Sequence, residues 1–252
     1  MKQVHGNSIC RAATGLTLIE LLVVIAVITI LAALLLPALR HGKNQVAKTT
    51  DLNNLHQVMI ALHAYSNDSR DVLTWPNWDY GHAMPDGTAR AGWLYKLNLS
   101  VQGHGAFVEQ SSLLWDSLRQ PRIFLCPMDQ PDVPGRKQQL SSYIMNGAVI
   151  GFRSGYFSNA TPVKISEMLP TDCLLFEADE QDPSDFNDGS SWPSEGVTAR
   201  HLGGATQAAI DGSASYVSDV DWQNEVDYAN KNRLWCYPKT GDGGDPVYGH
   251  VN

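Results

Sequence analysis

The stretch Thr14–Leu39, TGLTLIELLVVIAVITILAALLLPAL, decides the reading of this chain. From Leu16 to Leu36 it runs 21 residues, of which only Thr17, Glu20 and Thr29 are polar and fifteen are Leu, Ile or Val. At about 1.5 Å per residue a helix of that length spans ~31 Å, the thickness of a bilayer's hydrocarbon core. An ionised side chain at mid-bilayer costs roughly 2.5–3.5 kcal/mol, and each Leu, Ile or Val returns about 0.3–0.6 kcal/mol, so insertion is favourable despite Glu20. A cleaved secretory signal fits poorly, because its apolar region is ~7–15 residues long and no A-x-A cleavage pattern follows this run. Lys2 and Arg11 precede the run and Arg40, Lys43 and Lys48 follow it, so charge alone orients it poorly. A plain membrane anchor explains the length and leaves Glu20 without a purpose.

After Pro37 the helical pattern continues in amphipathic form, with Leu52, Leu55, Val58, Met59, Leu62 and Tyr65 on one face and SNDSRD at 66–71 as the stop. The expected shape is one long helix, its first half in lipid and its second half packed on a soluble domain. Beyond Val72 the pattern breaks into short segments punctuated by Gly, Pro, Asn and Asp. Strands are predicted at Cys173–Ala178, Thr206–Ile210 and Ser213–Val217, the last two flanking Asp211-Gly212, a dipeptide suited to the left-handed positions of a type I′ hairpin turn. The fold class is α+β, a long helix beside a small antiparallel sheet with long loops. The expected divisions are 1–15, 16–36, 37–68 and 69–252: leader, membrane helix, amphipathic continuation and globular domain.

The net charge of −8, with no basic cluster, speaks against nucleic acid as a partner. Four cysteines, Cys10, Cys126, Cys173 and Cys236, include no C-x-x-C pair, so no zinc ribbon or thioredoxin-like site is indicated. Outside the cytoplasm Cys126 and Cys236 could pair, leaving Cys173 as a buried strand thiol, although spacing does not choose among the possible pairs. There is no G-x-S-x-G, H-E-x-x-H or P-loop, and no catalytic residue is assigned.

The pattern G-LTLIELLVVIAVITILAALLLP resembles the amino-terminal signature of type IV pilins and type II secretion pseudopilins. The resemblance implies that a prepilin peptidase cuts between Gly15 and Leu16 and methylates the new amine. Leu16 stands where these proteins usually carry Phe, and Pro37 where they often carry a helix-kinking proline. It also implies a single-pass inner-membrane protein with a periplasmic or filament-borne domain, whose partners are the peptidase, homologous subunits, the assembly machinery and lipid. On that reading Glu20 meets the Leu16 amine of a neighbouring subunit during assembly, and the pairing offsets a desolvation cost that neither charge bears alone.

A second likeness lies towards the carboxy terminus. RHLGGATQAAIDGSASYV, with His201, nine residues, then Asp211-Gly212, is similar to the closing block of a bacterial pilin-like family known for that spacing. FLCPMD at 124–129, SSYIMNG at 141–147 and ISEMLPTDCLLFEAD at 165–179 accompany it in the family's order. We read His201, Asp211 and Gly212 as structural, the Asp and Gly building a turn and His201 bonding the loop that feeds it. No cofactor is expected. Calcium is the one ion the acidic stretches 179–188, 219–227 and 242–245 bring to mind, yet EF-hand spacing fails: aligning Gly189 and Glu195 puts Ser184 and Phe186 at ligand positions. Trp75, Trp78, Tyr80, Trp93 and Tyr95 form an aromatic stretch that would suit either a core or a sugar-stacking face. The alternative to a filament subunit is thus an anchored surface protein that binds glycan or carries a hydrolase.

Overall fold

The computed structural model describes residues 17–79, 81–84, 86–152, 161–179, 181–245 and 249. The chain divides into two compact units, Met1–Lys43 and Asn44–Asn252. One helix, α1 (Leu18–Asp68), begins in the first unit and ends in the second. It runs through Pro37, whose missing N–H leaves the Ala33 carbonyl without its usual donor. It stops where Arg70 and Asp71 take left-handed backbone (φ 58° and 72°), within the SNDSRD segment. The apolar residues of the first unit that are described are exposed, Leu18 at 79 % and Leu34 at 70 %.

In the second unit the helix buries most of the predicted apolar stripe, Leu55, Val58, Met59 and Leu62, and adds to it polar residues that the apolar pattern does not predict. Burial begins at Asn44 and recurs at Ala47, Asp51, Asn54, Leu55, Val58, Met59, Ala61, Leu62 and Ser66, while Leu52 and Tyr65 are half-buried. The first turns of the stripe, apart from Ala47, are therefore polar, and they have partners: Asn44 Nδ2 donates to the Arg200 carbonyl at 3.4 Å and Asn54 Nδ2 to the Leu125 carbonyl at 3.2 Å.

The remaining elements are β1 (Lys96–Leu97), β2 (Phe107–Val108), α2 (Trp115–Leu118), β3 (Tyr143–Asn146), β4 (Cys173–Glu177), β5 (Ser190–Ser191), β6 (Gly204–Ala209), β7 (Ala214–Ser218) and α3 (Asp219–Val226). β1 and β2 form a separate antiparallel pair. The main sheet has the order β5-β3-β4-β6-β7, antiparallel throughout except for the short parallel pairing of β5 on β3. The fold is α+β, and the three strands predicted from sequence are present as β4, β6 and β7.

The β6–β7 turn differs from the type I′ geometry expected. Only Gly212 is left-handed (φ 87°), and Ile210, Asp211 and Gly212 form a three-residue loop closed by Ala209 N–H to Ser213 O and Gly212 N–H to Ala209 O, both 2.9 Å. Asp211 is not left-handed, and its Oδ1 accepts from Ser213 N–H at 2.8 Å, an Asx turn leading into the left-handed glycine.

Aromatic side chains fill much of the core. Phe152 stacks on Trp192 at 4.9 Å, and Trp78 meets both rings edge-on. Trp75, Trp78, Trp93 and Tyr95 are all buried, which assigns that stretch to the core rather than to a sugar-stacking surface; Tyr80 lies outside the described residues.

Candidate functional site

Among the described residues, the start of α1 and a buried polar cluster beneath it stand out as candidate sites. Thr17 N–H and Thr17 Oγ1 both donate to Glu20 Oε2 at 2.8 Å, and Glu20 N–H returns a bond to Thr17 Oγ1 at 3.3 Å. This is a reciprocal capping box, which satisfies amides that a helix start leaves without partners. Glu20 thus has a role within its own chain, which the Thr17-x-x-Glu20 spacing carries in sequence. Gly15 and Leu16, the predicted processing site, lie outside the described residues.

The second place is buried under α1. The pairing of β3 with β4 sets Tyr143 opposite Glu177, and β6 brings Thr206 to the other side of Glu177, so the three form a row across the sheet. Asp51 reaches down from α1 onto that row and accepts from the hydroxyls of Tyr143 and Thr206. Glu177 Oε2 accepts from Thr206 N–H at 2.7 Å and Thr206 Oγ1 at 3.0 Å.

Two loops complete the cluster. After Arg200 and His201 the chain reverses through Leu202 and Gly203, both left-handed (φ 61° and 93°), which aims the two preceding side chains inward. His201 Nε2 lies 3.3 Å from Glu177 Oε2, 3.4 Å from Asp51 Oδ2 and 3.4 Å from Cys126 Sγ. The bonds from Asn44 and Asn54 hold the backbone immediately beside His201 and Cys126, one on each side of Asp51 along the helix. Arg200 bridges Glu177 Oε1 at 3.0 Å and Asp129 Oδ1 at 3.1 Å, and Arg136 grips Asp129 at 2.9 and 3.1 Å. The side chains of all these ion pairs are at most 4 % exposed.

The charges respond to this burial. Desolvation works to lower the His201 pKa, but the hydrogen bonds to Asp51, Cys126 and Glu177 and the charge of Glu177 overcome it and carry it to about 11. Burial pushes the Cys126 thiol up to about 11 against the opposing His201 contact. Tyr143 is raised well above the ordinary phenol range by burial and then by the Asp51 charge. At the centre the His201 ring lies between the carboxyl groups of Asp51 and Glu177. Asp51, Cys126, Glu177 and His201 also offer four ligand atoms within 4.8 Å of one another, the grouping a metal ion requires.

Several site residues predicted from sequence fall elsewhere. His201 does not serve the Asp211-Gly212 turn: the whole of β6 separates them, and its ring turns into the buried cluster. Cys126 and Cys236 do not form a disulfide; Cys126 faces His201, whereas Cys236 lies near Asn146 Nδ2 (3.8 Å), and both are free and buried along with Cys173. Two acids of the calcium-like stretches bond the local chain: Asp182 accepts from Ser184 N–H, and Asp221 Oδ2 accepts from the hydroxyl of Ser218, which itself caps α3 by accepting from Asp221 N–H. Asp185 is half-enclosed by acids; burial first, then Glu195, Asp182 and Asp179, raise its pKa to about 8.

Sequence reasoning missed Asp51, Glu177, Asp129 and Arg200. The signal was present in part, since FLCPMD supplies Cys126 and Asp129, SSYIMNG supplies Tyr143, LLFEAD supplies Glu177 and RHLGG supplies Arg200 and His201. Each segment quoted for the second likeness gives the cluster at least one side chain.

Comparison with curated proteins and with solved structures finds no match. α1 is long and apolar enough to cross a membrane. Residues 10–36 match the family model described as the prokaryotic N-terminal methylation motif, and the chain therefore carries the amino-terminal signal of prepilin-peptidase substrates of pilin or pseudopilin type.

Proposed function

We propose that the chain is a structural, non-catalytic subunit of a type IV pilus-like or type II secretion pseudopilus-like filament. It is cut between Gly15 and Leu16, sits in the inner membrane by the first part of α1, presents its α+β unit to the periplasm, and assembles with homologous subunits through that helix. The observation that carries this reading is the exposure of an apolar helix surface in which Glu20 is the sole acidic side chain between Leu18 and Leu39. Such a surface is stable only in lipid or against other helices of the same kind. In a filament the Leu16 amine of a neighbour supplies the cation that Glu20 lacks.

The capping box gives the test two arms. Glu20→Ala removes both the cap and the assembly charge, whereas Thr17→Val removes the Thr17 hydroxyl from the cap and leaves the charge. We expect both variants to reach the membrane with a methylated Leu16 by mass spectrometry of the mature terminus. Only Glu20→Ala fails to enter the sheared filament fraction. Normal filaments from Glu20→Ala, equal failure of Thr17→Val, or an uncut Met1 terminus would refute the reading.

A further inference from the structure

We propose that Asp51, Cys126, Glu177 and His201 bind one divalent transition-metal ion of the zinc type, clamping α1 to the sheet of the second unit. The donor set comes from four separate places: α1, the loop after Phe124, the end of β4 and the turn before β6.

Size is the first argument. With metal–nitrogen and metal–oxygen bonds of about 2.0 Å and a metal–sulfur bond of about 2.3 Å, a tetrahedron has nitrogen–oxygen edges of ~3.3 Å and nitrogen–sulfur edges of ~3.5 Å. The three edges from His201 Nε2 measure 3.3 Å to Glu177, 3.4 Å to Asp51 and 3.4 Å to Cys126, and no pair among the four atoms exceeds 4.8 Å. An ion at the centre needs only small side-chain shifts.

Donor chemistry is the second. A thiolate and an imidazole beside two carboxylates favour zinc, cobalt or nickel over calcium or magnesium, which seek oxygen alone. All four side chains are buried, which marks a closed structural site rather than a catalytic one with a free position.

Support from outside the donor set is the third. The hydroxyls of Tyr143 and Thr206 orient Asp51, while Arg200 and the Thr206 amide fix Glu177, the kind of outer hydrogen bonding that holds metal ligands in place. Charge also closes. With Cys126 as thiolate and His201 neutral, the four negative groups Asp51, Cys126, Glu177 and Asp129 face the guanidinium groups of Arg136 and Arg200 and one divalent ion. Binding needs Cys126 as thiolate and His201 Nε2 without its proton, so loading releases to solvent the protons those atoms carry.

An ion pair alone would hold His201 between the carboxylates without any need of Cys126, so the thiol separates the two possibilities. The full-length chain, purified in detergent from zinc-supplemented cells and washed with a mild chelator, is analysed for metal content and then loaded with cobalt. We expect about one zinc per chain, a melting temperature lowered by strong chelation and restored by zinc alone, and a thiolate-to-cobalt charge-transfer absorption. Cys126→Ser should weaken zinc binding by on the order of 100-fold and abolish that absorption, while Cys173→Ser, at a buried thiol elsewhere, should change neither. Wild-type chain without zinc after the wash, zinc retained equally by Cys126→Ser, or a melting temperature indifferent to chelator and zinc would each overturn the proposal. If Cys126→Ser does not fold, the wild-type zinc content and cobalt spectrum decide the question by themselves.

Discussion

Arg200→Met isolates the electrostatic part of the buried cluster, because methionine keeps an apolar stem of similar reach and removes only the guanidinium. The side chain of Arg200 is 4 % exposed and spans Glu177 at 3.0 Å and Asp129 at 3.1 Å. Asp129 keeps Arg136 and the Ser142 hydroxyl at 2.7 Å after the change. Glu177 keeps Thr206 and His201, yet loses the guanidinium on Oε1. Breaking a buried pair from one side costs about 3–5 kcal/mol, and the alternative partners place this case near the lower end, ~3 kcal/mol. For a unit of this size each kcal/mol moves the melting temperature by about 2–4 °C, so a fall of ~6–12 °C is expected. The core holds Trp78, Trp93, Trp192, Trp222 and Trp235, so tryptophan fluorescence of the full chain in detergent follows the transition. A double-mutant cycle with Glu177→Gln assigns the loss: the double variant should cost about 2 kcal/mol less than the sum of the singles, since a neutral amide in place of the carboxylate no longer needs the cation. A loss under ~1 kcal/mol, the worth of an exposed pair, or strict additivity would refute the view that Arg200 neutralises a desolvated Glu177.

Two further outcomes follow from the core. Burial raises Asp79 from 3.8 to about 7, even though its Oδ1 accepts from Tyr95 Oη at 2.6 Å. Between these values the unfolded chain has released a proton that the folded chain keeps, so stability falls as pH rises from about 4 to 7 and levels off above; Glu109, raised to about 7, and Asp172, raised to about 6, act in the same direction. Asp79→Asn should flatten this slope by a few kcal/mol, on the order of 1.4 per tenfold change in proton affinity, as read from urea midpoints at pH 4.5 and 7.5; an unchanged slope would show that Asp79 stays ionised. Gly147→Ala would place a methyl 1.8 Å from Trp78 Cζ3, so Trp78 must leave its packing against Phe152 and Trp192, with a loss of about 3 kcal/mol and a shifted emission maximum, and a silent substitution would mean that this core is looser than its geometry.

What the sequence made legible was local. The long apolar run, the helix stop at SNDSRD and the β6–β7 hairpin all depend on residues within one or two turns of chain, and all three are found. The inner face of α1 was legible in part: apolar periodicity finds Leu55, Val58, Met59 and Leu62, whereas Asn44, Asp51 and Asn54 are buried beside them and lie outside that pattern. These polar residues also lie at helical spacing, but a polar stripe reads as solvent-facing until its partners are known, and those partners, the Leu125 and Arg200 carbonyls and the Tyr143 and Thr206 hydroxyls, lie 71 to 156 residues away.

The spacing of His201 and Asp211 has a mechanical meaning that neither a turn nor a catalytic pair supplies. The nine residues between them are Leu202 and Gly203, which reverse the chain, the six of β6, and Ile210, which enters the second reversal. The motif thus measures one strand. Its first end sets His201 under Asp51, and its far end sets Gly212, whose carbonyl lies 2.9 Å from His56 Nδ1 on the same helix. Asp51 and His56 are five residues apart on α1, so both ends of β6 are fastened to one stretch of helix. A strand one residue shorter would turn Thr206 and its neighbours to the opposite face of the sheet and withdraw the hydroxyl that Asp51 and Glu177 share. The spacing follows from the need to hold a buried charge centre in register with the helix above it.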